Sequence, residues 1–588
     1  MKILLLHPED IPSNGSWSQV RWDLIVDLGF ASRYVYEEWS HRSGAQVLSV
    51  YQFAGETDSY RWVNDLLELG RGRLFDRDEL DWWEILGVWS FQHLQSLYLF
   101  EKIRLNIPID RIQTLAATRH HPFAKLVSLV LNRSVQYFEA QRNSPIKRLG
   151  RTLASVRKLR PTQIFEIALD KWDPAHQLRR KVSRQKRSRL LDGAVLLPSA
   201  YSNVTRSALA YATQLPHRQF LLATTRRSAV PDRVPKNVTA VPLAAYAQPS
   251  KVTRQETTEI LEAWDAFLQN LKAEVEPLRQ AANAGFFDYF RPHLRTGLLL
   301  REAWKEMLRL EPVKGVLCGD DLNYHTRLPL ILAQRSGLNA VYCSHGALDG
   351  GFLFKLPCAD TYLVKGQMES DYLQRARPIN PTQIELAAPG PLPARDQPKI
   401  ERDAIVFFSQ PFEVEGGRTD EIYKEVLPRL FSAAQKSRRK LVIKLHPFES
   451  KKARTALAAS ALPSDAQFEI ISGVPPEQIM LRAWCGITVD SSVAVECALR
   501  QIPFFLCGWL DFMGFGYLPQ FARYGVAQVL EKPESLDSIP ELVATYRSDA
   551  QTVDKLWHPA DRERLEKILF SGRRSTSRAH ARADTEMA

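Results

Sequence analysis

The sequence predicts an α/β protein with two Rossmann-like, doubly wound domains that face each other across a cleft. Three observations indicate this class. Short apolar strands alternate with helical patterns from about residue 312 onward, which is typical of parallel sheets. These strands are almost continuously apolar, as in sheets that helices cover on both faces. Residues 386–403 contain four prolines and both kinds of charge, and this linker-like stretch divides the alternation into two series.

The N-terminal part is predicted to begin with a strand and then to be mostly helical. "KILLL", residues 2–6, predicts the strand, and the spacing of apolar residues over 20–29 favours a helix. Residues 60–170 are rich in Trp, Leu and Arg and mostly helical in pattern. Residues 253–310 are strongly helical, and one buried stripe is predicted from Ile260, Trp264, Phe267, Leu268 and Leu271. We therefore expect a large, mostly helical insertion in an N-terminal domain that spans residues 1–395.

A second α/β series follows the linker. "AIVFFSQ", "KLVIKLHP", "FEIIS", "GITVDSS" and "IPFFLCG" predict strands, and helical patterns lie between them. These elements predict a C-terminal domain over residues 396–565. Residues 571–588 are polar and are predicted to be a disordered tail.

The charge of the chain indicates an anionic partner. The 78 Lys and Arg residues exceed the 66 Asp and Glu residues, which gives a formal net charge of +12. The densest basic cluster, residues 179–189, is either a solvated helix face or an attachment to the anionic leaflet of an inner membrane. No RNA- or DNA-binding motif accompanies it, so a nucleic-acid partner is not expected.

The sequence also predicts a cytoplasmic protein. No uninterrupted apolar run approaches the length of a membrane span, and the first residues lack the small-residue cleavage site of a signal peptide. The six cysteines have no CxxC spacing, so disulfides and zinc are not expected. Peripheral attachment at the inner membrane through residues 179–189 is the alternative to a freely diffusing protein.

Polar residues at strand ends are the candidate catalytic groups of the N-terminal domain, because ligands of parallel sheets bind at the carboxyl ends of strands. Asp320 and Asp321 follow "GVLCG", and His345 follows "AVYCS". Any of the three could act as a general base toward an acceptor hydroxyl. The structural alternatives are a helix cap for the acids and a turn histidine for His345. Gly346 lets a ligand approach the backbone, so it is expected to line the cleft.

The C-terminal domain offers a phosphate site. His446 and Pro447 end one predicted strand, with Lys444 just before them, and Ser491 and Ser492 end another. Hydroxyls, exposed N–H groups and an imidazole suit the phosphates of a donor, although a plain helix cap and a structural histidine are the alternatives. The candidate donor-binding and cleft-lining residues are His446, Pro447, Ser491, Ser492, Glu496, Lys444 and, in the N-terminal domain, His7. Glu496 lies one turn beyond Ser492 and could bind ribose hydroxyls.

In this order, the motifs resemble the GT-B glycosyltransferases of bacterial surface-polysaccharide synthesis. These are the sialyl- and Kdo-transferases of capsule and lipopolysaccharide and the polyol-phosphate transferases of teichoic acid. "KLHPFES" and "TVDSSVAVECAL" resemble the His-Pro and Ser-Ser motifs that bind the phosphates of a CMP- or CDP-linked donor in those families. "GDDLN" resembles the acidic base motif, with Leu322 where those enzymes have glycine, and "YCSHGALDG" resembles a His-Gly motif. The resemblance covers about residues 312–510.

The resemblance implies a metal-independent glycosyltransferase without a cofactor. It would move a sugar from a CMP- or CDP-linked donor to a glycan or glycolipid acceptor of capsule or lipopolysaccharide. Two other functions fit the same scaffold. One is a UDP-sugar 2-epimerase-like enzyme, which acts on the donor sugar itself. The other is a non-catalytic protein that binds glycan or nucleotide.

Overall fold

The structure is a computed structural model, and it describes the chain in stretches. These are residues 1–6, 20–27, 44–49, 57–89, 94–95, 97–98, 102, 107, 109–117, 122–137, 193–225, 229, 234–274, 276–285, 287–288, 290–377, 379–390, 402–410, 419–446, 449–473, 476–511, 514–547 and 550–571. The predictions for His7, Pro447, the basic cluster 179–189 and the tail beyond residue 571 lie outside them.

The strands of the described residues form three sheets, and all pairings between these strands are parallel. The first sheet contains β1 (Lys2–Leu6), β2 (Leu24–Asp27), β3 (Gln46–Ser49), β4 (Thr114–Ala117) and β5 (Val135–Tyr137). The second contains β6 (Ala194–Ser199), β7 (Gln219–Thr224), β8 (Val238–Pro242), β9 (Val313–Cys318), β10 (Asn339–Cys343), β11 (Thr361–Val364) and β12 (Ile384–Leu386). The third contains β13 (Ala404–Phe408), β14 (Lys440–Lys444), β15 (Phe468–Ile471), β16 (Ala483–Thr488), β17 (Phe504–Cys507) and β18 (Gln528–Leu530).

Helices connect and cover these strands. They are α1 (Thr57–Gly70), α2 (Trp82–Trp89), α3 (Pro122–Leu131), α4 (Ser202–Ala212), α5 (Arg254–Glu274), α6 (Glu276–Asn283), α7 (Phe290–Leu310), α8 (Tyr324–Arg335), α9 (Gln367–Ala376), α10 (Thr419–Lys436), α11 (Lys451–Ala461), α12 (Pro476–Met480), α13 (Val493–Leu499), α14 (Tyr517–Arg523), α15 (Ile539–Thr545), α16 (Ala550–Leu556) and α17 (Arg562–Phe570). None of the helices in the described stretches is long and apolar enough to span a membrane.

The strand orders confirm the predicted α/β class with Rossmann-like halves. The third sheet has the order β15-β14-β13-β16-β17-β18, which is the 3-2-1-4-5-6 order of a Rossmann sheet. The second sheet, β12-β11-β10-β9-β6-β7-β8, follows the same order read from its other edge, with one strand added. In each of these sheets the order in which strands are added changes direction once, and we call this position the reversal point. It lies between β6 and β9 in the second sheet and between β13 and β16 in the third. Ligands of such folds bind beside that point.

The first sheet differs from the prediction of a mostly helical insertion. The helix predicted over residues 20–29 is wrong, because Leu24, Ile25 and Val26 form the buried strand β2 between β1 and β3. A strand that is buried on both faces has no alternation of apolar and polar residues, so its apolar spacing resembles that of a helix. Within 60–170, β4 and β5 have only four and three residues, too few to interrupt the helical pattern.

One hydrophobic core joins the first sheet to one face of the second. It contains side chains of both sheets together with Trp82 of α2, Trp264 of α5 and Trp304 of α7. Beside it, the buried guanidinium of Arg301 on α7 donates to Asp76, at 2.7 Å, and to Glu256, at 2.5 Å. The first sheet is therefore built into the N-terminal half through shared packing and buried ion pairs.

The chain returns to the second sheet at its C-terminal end. His558 donates its backbone N–H to the carbonyl oxygen of Lys365, at 2.6 Å, and residues 388 and 559 form a β-bridge. Leu565 and Leu569 of α17 are buried in the core on the other face of the second sheet. Thus α17 packs on the N-terminal half, although the predicted C-terminal domain extends to residue 565.

The segments that follow strands at the carboxyl ends of the second and third sheets contact each other. Gly350, in the segment after β10, donates its N–H to the hydroxyl of Tyr517, at 2.6 Å. The hydroxyl of Tyr372 donates to the carbonyl of Phe515, at 2.7 Å. The ring of Phe515 also lies 5.7 Å from the ring of Tyr60 on α1. Segments that connect strands of the first, second and third sheets therefore meet at this place.

Candidate active site

His446 lies directly beyond β14 on the carboxyl edge of the third sheet. The buried carboxylate of Glu449 fixes its backbone, because one oxygen accepts the His446 N–H at 2.7 Å. The other oxygen accepts from the hydroxyl of Ser409, at 2.8 Å, and from Nε of Arg454, at 2.6 Å. Such a carboxylate, held by a hydroxyl and a cation, keeps the His446 loop in one conformation. Glu449 was not predicted as a site residue, although it follows His446 by three positions.

The surroundings of His446 are cationic. Burial, Lys444 and Arg206 lower the pKa of its imidazole to about 4, so the ring is neutral at pH 7. Burial also lowers the pKa of the Lys444 ammonium, which donates to the carbonyl of Leu445 at 2.6 Å. A neutral imidazole beside two cationic side chains is suited to an anion, whose charge would offset the repulsion.

Arg206 belongs to the N-terminal half of the protein, which contains the first and second sheets, whereas His446 belongs to the half that contains the third sheet. Arg206 lies on α4, which follows β6 beside the reversal point of the second sheet, and its side chain is exposed. Its charge acts on Lys444 at the end of β14, on His446 beyond it and on Glu496 of α13. Arg206 was not among the predicted site residues, because no local motif marks an arginine that completes a site in another domain.

Ser491 and Ser492 lie beyond β16, next to the reversal point of the third sheet. The oxygen of Ser491 accepts the N–H of Val493, at 3.4 Å, which supports the capping interpretation for this residue. Ser492 is exposed, and its hydroxyl makes no capping hydrogen bond. On the same helix, partial burial and neighbouring Glu477 raise the pKa of Glu496 to about 7. The hydroxyl of Ser491 thus accepts from the first turn of α13, whereas Ser492, which occupies the N-cap position, makes no side-chain capping bond.

Asp490 precedes the two serines and is buried. Burial and the carboxylate of Asp511 raise its pKa to about 6, while a hydrogen bond with Gln410 opposes the shift. Among the described residues, no group makes a hydrogen bond to Oδ1 of Asp490. The reversal point of the third sheet therefore carries a carboxyl group that burial makes harder to ionise and whose hydrogen bonds are only partly satisfied.

Asp320 and Asp321 are both engaged in local structure. The two oxygens of Asp320 accept the N–H of Leu322, at 2.9 Å, and the side-chain amide of Asn323, at 2.5 Å. Asn323 in turn caps α8, and burial raises the pKa of Asp320, with His345 opposing. Asn323, and not Asp320, is thus the N-cap residue of α8, and Asp320 holds the side chain of that cap.

The carboxylate of Asp321 is completely buried. It receives the ammonium of Lys355, at 2.5 Å, and lies 3.5 Å from the guanidinium of Arg327. The thiol of Cys358 lies 3.3 Å from its second oxygen. A carboxylate enclosed in this way holds the second sheet together and is not presented to an acceptor.

His345, by contrast, is exposed at the carboxyl end of β10. Its Nδ1 lies 3.2 Å from the carbonyl oxygen of Gly319, an acceptor only, so Nδ1 carries the proton of the neutral ring. The lone pair is then on Nε2, which is free to accept a proton. Gly346 next to it is half-buried. Of the three candidate bases, His345 has the geometry that an acceptor hydroxyl can reach.

The described stretches hold no group of three or more His, Cys, Asp or Glu side chains arranged to bind a metal ion. The six cysteines are buried free thiols.

No protein-family model matches the chain, and no curated protein matches it either. Solved structures with a distant likeness are found. Calicheamicin glycosyltransferase CalG4 is 13% identical with a TM-score of 0.38, over 64% of this chain and 94% of that one. Acinetobacter baumannii MurG is 14% identical with a TM-score of 0.38, over 64% and 99% of the two chains. The UDP-GlcNAc 2-epimerase of Methanocaldococcus jannaschii, in complex with UDP-GlcNAc and UDP, is 12% identical with a TM-score of 0.41, over 64% and 98%.

Proposed function

We propose that the protein is a glycosyltransferase that binds a nucleotide-activated sugar donor in the cleft between its second and third sheets. The observation that carries this proposal is the cationic site at the carboxyl edge of the third sheet. At this site the charge of Arg206, from the other half, acts on both Lys444 and the neutral imidazole of His446. Such a site suits an anionic ligand that contacts both halves. The phosphates of a donor bound at the reversal point of a Rossmann sheet would be such a ligand.

Each side chain has a role in this proposal. Arg206, Lys444 and His446 bind the donor phosphates and stabilise the negative charge of the departing nucleotide. The hydroxyl of Ser492 adds a donor to the same phosphates. Glu496 lies one helical turn further on, where a carboxylate can accept hydrogen bonds from ribose hydroxyls. Stabilisation by these groups would make catalysis independent of a metal ion.

The transfer step needs a base, and His345 is the group we assign to it. Its Nε2 would take the proton of an acceptor hydroxyl as the acceptor oxygen forms a bond to the anomeric carbon of the sugar. The bond between that carbon and the phosphate oxygen breaks, and the nucleotide leaves with the electron pair. Asp320 lies beside His345, whose charge opposes the rise that burial causes in the pKa of Asp320.

The nature of the substrates is supported by the sequence motifs. The His-Pro and Ser-Ser pair favours a CMP- or CDP-linked donor and an acceptor that belongs to capsule or lipopolysaccharide. The basic cluster at residues 179–189 favours contact with an anionic membrane surface, where such acceptors are found. Its alternative, a solvated helix face, predicts no affinity for anionic vesicles.

A UDP-sugar 2-epimerase-like reaction is the second candidate, and Asp490 favours it. A buried carboxyl group with a pKa of about 6 can both give and take a proton on the donor sugar. Release of UDP from a nucleotide sugar without any acceptor, lost in Asp490→Asn, would support the epimerase and contradict the transferase.

A thermal-shift series with CMP, CDP, UDP, GDP and ADP tests the proposal. A nucleotide at one hundred times its dissociation constant stabilises the folded protein by about 2.7 kcal/mol. We expect the largest shift with CDP or CMP, and we expect Lys444→Met to reduce it. A preference for UDP or GDP would contradict the cytidine donor. Stabilisation by none of the five would leave only the non-catalytic function.

A further inference from the structure

Lys365 lies at the carboxyl end of β11, beside the loop that carries His345. Strand β11 pairs with β10, so the side chain of Lys365 reaches the residues that follow β10. Its ammonium donates to the carbonyl of Ser344, at 2.8 Å, and to the carbonyl of Gly346, at 2.7 Å. These two carbonyls belong to the residues immediately before and after His345. Lys365 was not among the predicted site residues.

The remaining contacts of Lys365 leave it little capacity to bind a substrate. The carboxylate of Glu369 lies 3.6 Å from the ammonium, and it also accepts the backbone N–H of Lys365, at 2.7 Å. Glu369 is buried, and the side chain of Lys365 is only 14% exposed. An ammonium has three donors. Two are used by the loop carbonyls, and the nearest counter-charge for the third is Glu369, so the group is directed at the protein itself.

We propose that Lys365 is a positioning residue that fixes the direction of the His345 imidazole. This rests on the proposed function, in which His345 is the base. Charge-assisted hydrogen bonds hold the carbonyls on either side of His345, and the carbonyl of Gly319 holds Nδ1 of its ring. The backbone and one edge of the ring are then both fixed. Nε2 is left as the free edge, aimed at the place where the acceptor hydroxyl must lie.

A merely stabilising lysine and a lysine that binds substrate make different predictions. If Lys365 contacted the donor or the acceptor, its removal would raise the KM for that substrate. If it only supported the fold, its removal would lower the unfolding temperature without changing the ring of His345. A positioning residue lowers kcat at constant KM and changes the environment of the ring, because a displaced base still allows both substrates to bind.

The test compares the variants Lys365→Met, Lys365→Arg and Lys440→Met in the full chain. Lys440→Met is the matched control, since its side chain is 68% exposed on β14 and forms an ion pair with Asp403, away from the His345 loop. NMR of the histidine Cε1–H groups, with His345→Gln used to assign the resonance, reports on the ring independently of activity. We expect Lys365→Met to move or broaden the His345 resonance and to lower kcat about 100-fold, with the donor KM within twofold. Lys440→Met should change neither.

Lys365→Arg keeps charged donors, and we expect it to recover kcat to within about tenfold of the wild type, with a smaller displacement of the resonance. Should Lys365→Met not fold, this displacement in Lys365→Arg decides the question. An unmoved His345 resonance in the folded variants, or a raised KM at constant kcat, overturns the positioning role. If instead His345→Gln keeps the wild-type rate, the assigned base is wrong, and the NMR result still stands for the contact of Lys365 with the loop.

Discussion

The low pKa of His446 predicts that the free energy of unfolding decreases as the pH falls below about 6.5. In an unfolded chain a histidine titrates near 6.5, whereas burial and two cationic neighbours lower the pKa of His446 in the folded protein to about 4. Between these two values the unfolded state binds more protons, so His446 lowers the free energy of unfolding as the pH falls from 6.5 to 4. Above pH 6.5 it has no such effect.

The size of the effect follows from the two pKa values. Between pH 7 and pH 4.5, linkage gives a loss of about 2.4 kcal/mol for a shift of this size. The ring is only partly buried, and solvent screening lowers the expectation to about 1–2 kcal/mol. Other groups titrate in the same range, so the quantity to measure is the difference between the wild type and His446→Gln, in which the side chain cannot titrate.

The assay is urea denaturation of both proteins at pH 7 and pH 4.5. We expect the wild type to lose about 1–2 kcal/mol more than His446→Gln between the two pH values. Saturating CDP should reduce this difference, because a bound phosphate favours the imidazolium and raises the pKa of His446. Equal losses in the two proteins would refute the lowered pKa of His446 in the folded state. A difference that CDP leaves unchanged would refute the placement of the phosphate beside it.

Two further predictions concern the buried ion pairs and the metal. Lys355→Met leaves the carboxylates of Asp321 and Asp349 without their shared cation and should lower the free energy of unfolding by about 3–5 kcal/mol, whereas Lys305→Met, at a 40% exposed side chain, should lower it by less than about 1 kcal/mol. Similar urea midpoints for the two variants would contradict the buried network. Transferase activity should survive EDTA, and activity that vanishes with EDTA and returns with Mg²⁺ would contradict a metal-independent mechanism.

The later part of the fold could be predicted because its strands are apolar and evenly spaced by helices. The first sheet could not, since β2 is buried on both faces and β5 has three residues. The helices that follow β3 join those that precede β9 through contacts distant in sequence, such as Arg301 of α7 with Asp76. Local patterns carry no record of such pairings.

The candidate site was predictable in its C-terminal half and only partly in its N-terminal half. His446 and Ser491 each follow an apolar strand pattern, so their position at the carboxyl edge of a sheet can be predicted from the sequence. Whether Asp320, Asp321 or His345 is presented to a ligand depends on neighbours far along the chain. Lys355 forms a buried ion pair with Asp321, and the carbonyl of Gly319 orients the ring of His345. No sequence pattern indicates either contact.

The central claim is that both halves of the protein bind the phosphates of one nucleotide, and calorimetric titration of Arg206→Met with CDP tests it most directly. Arg206 lies on α4, in the half opposite to Lys444 and His446, so it affects binding only if the ligand also reaches α4. A hydrogen bond with a charged group contributes about 1.5–3 kcal/mol, so we expect the dissociation constant to rise roughly 10- to 150-fold. The control Arg309→Met, at a 63% exposed side chain on α7, should leave it unchanged. Wild-type affinity for CDP in Arg206→Met would contradict the account.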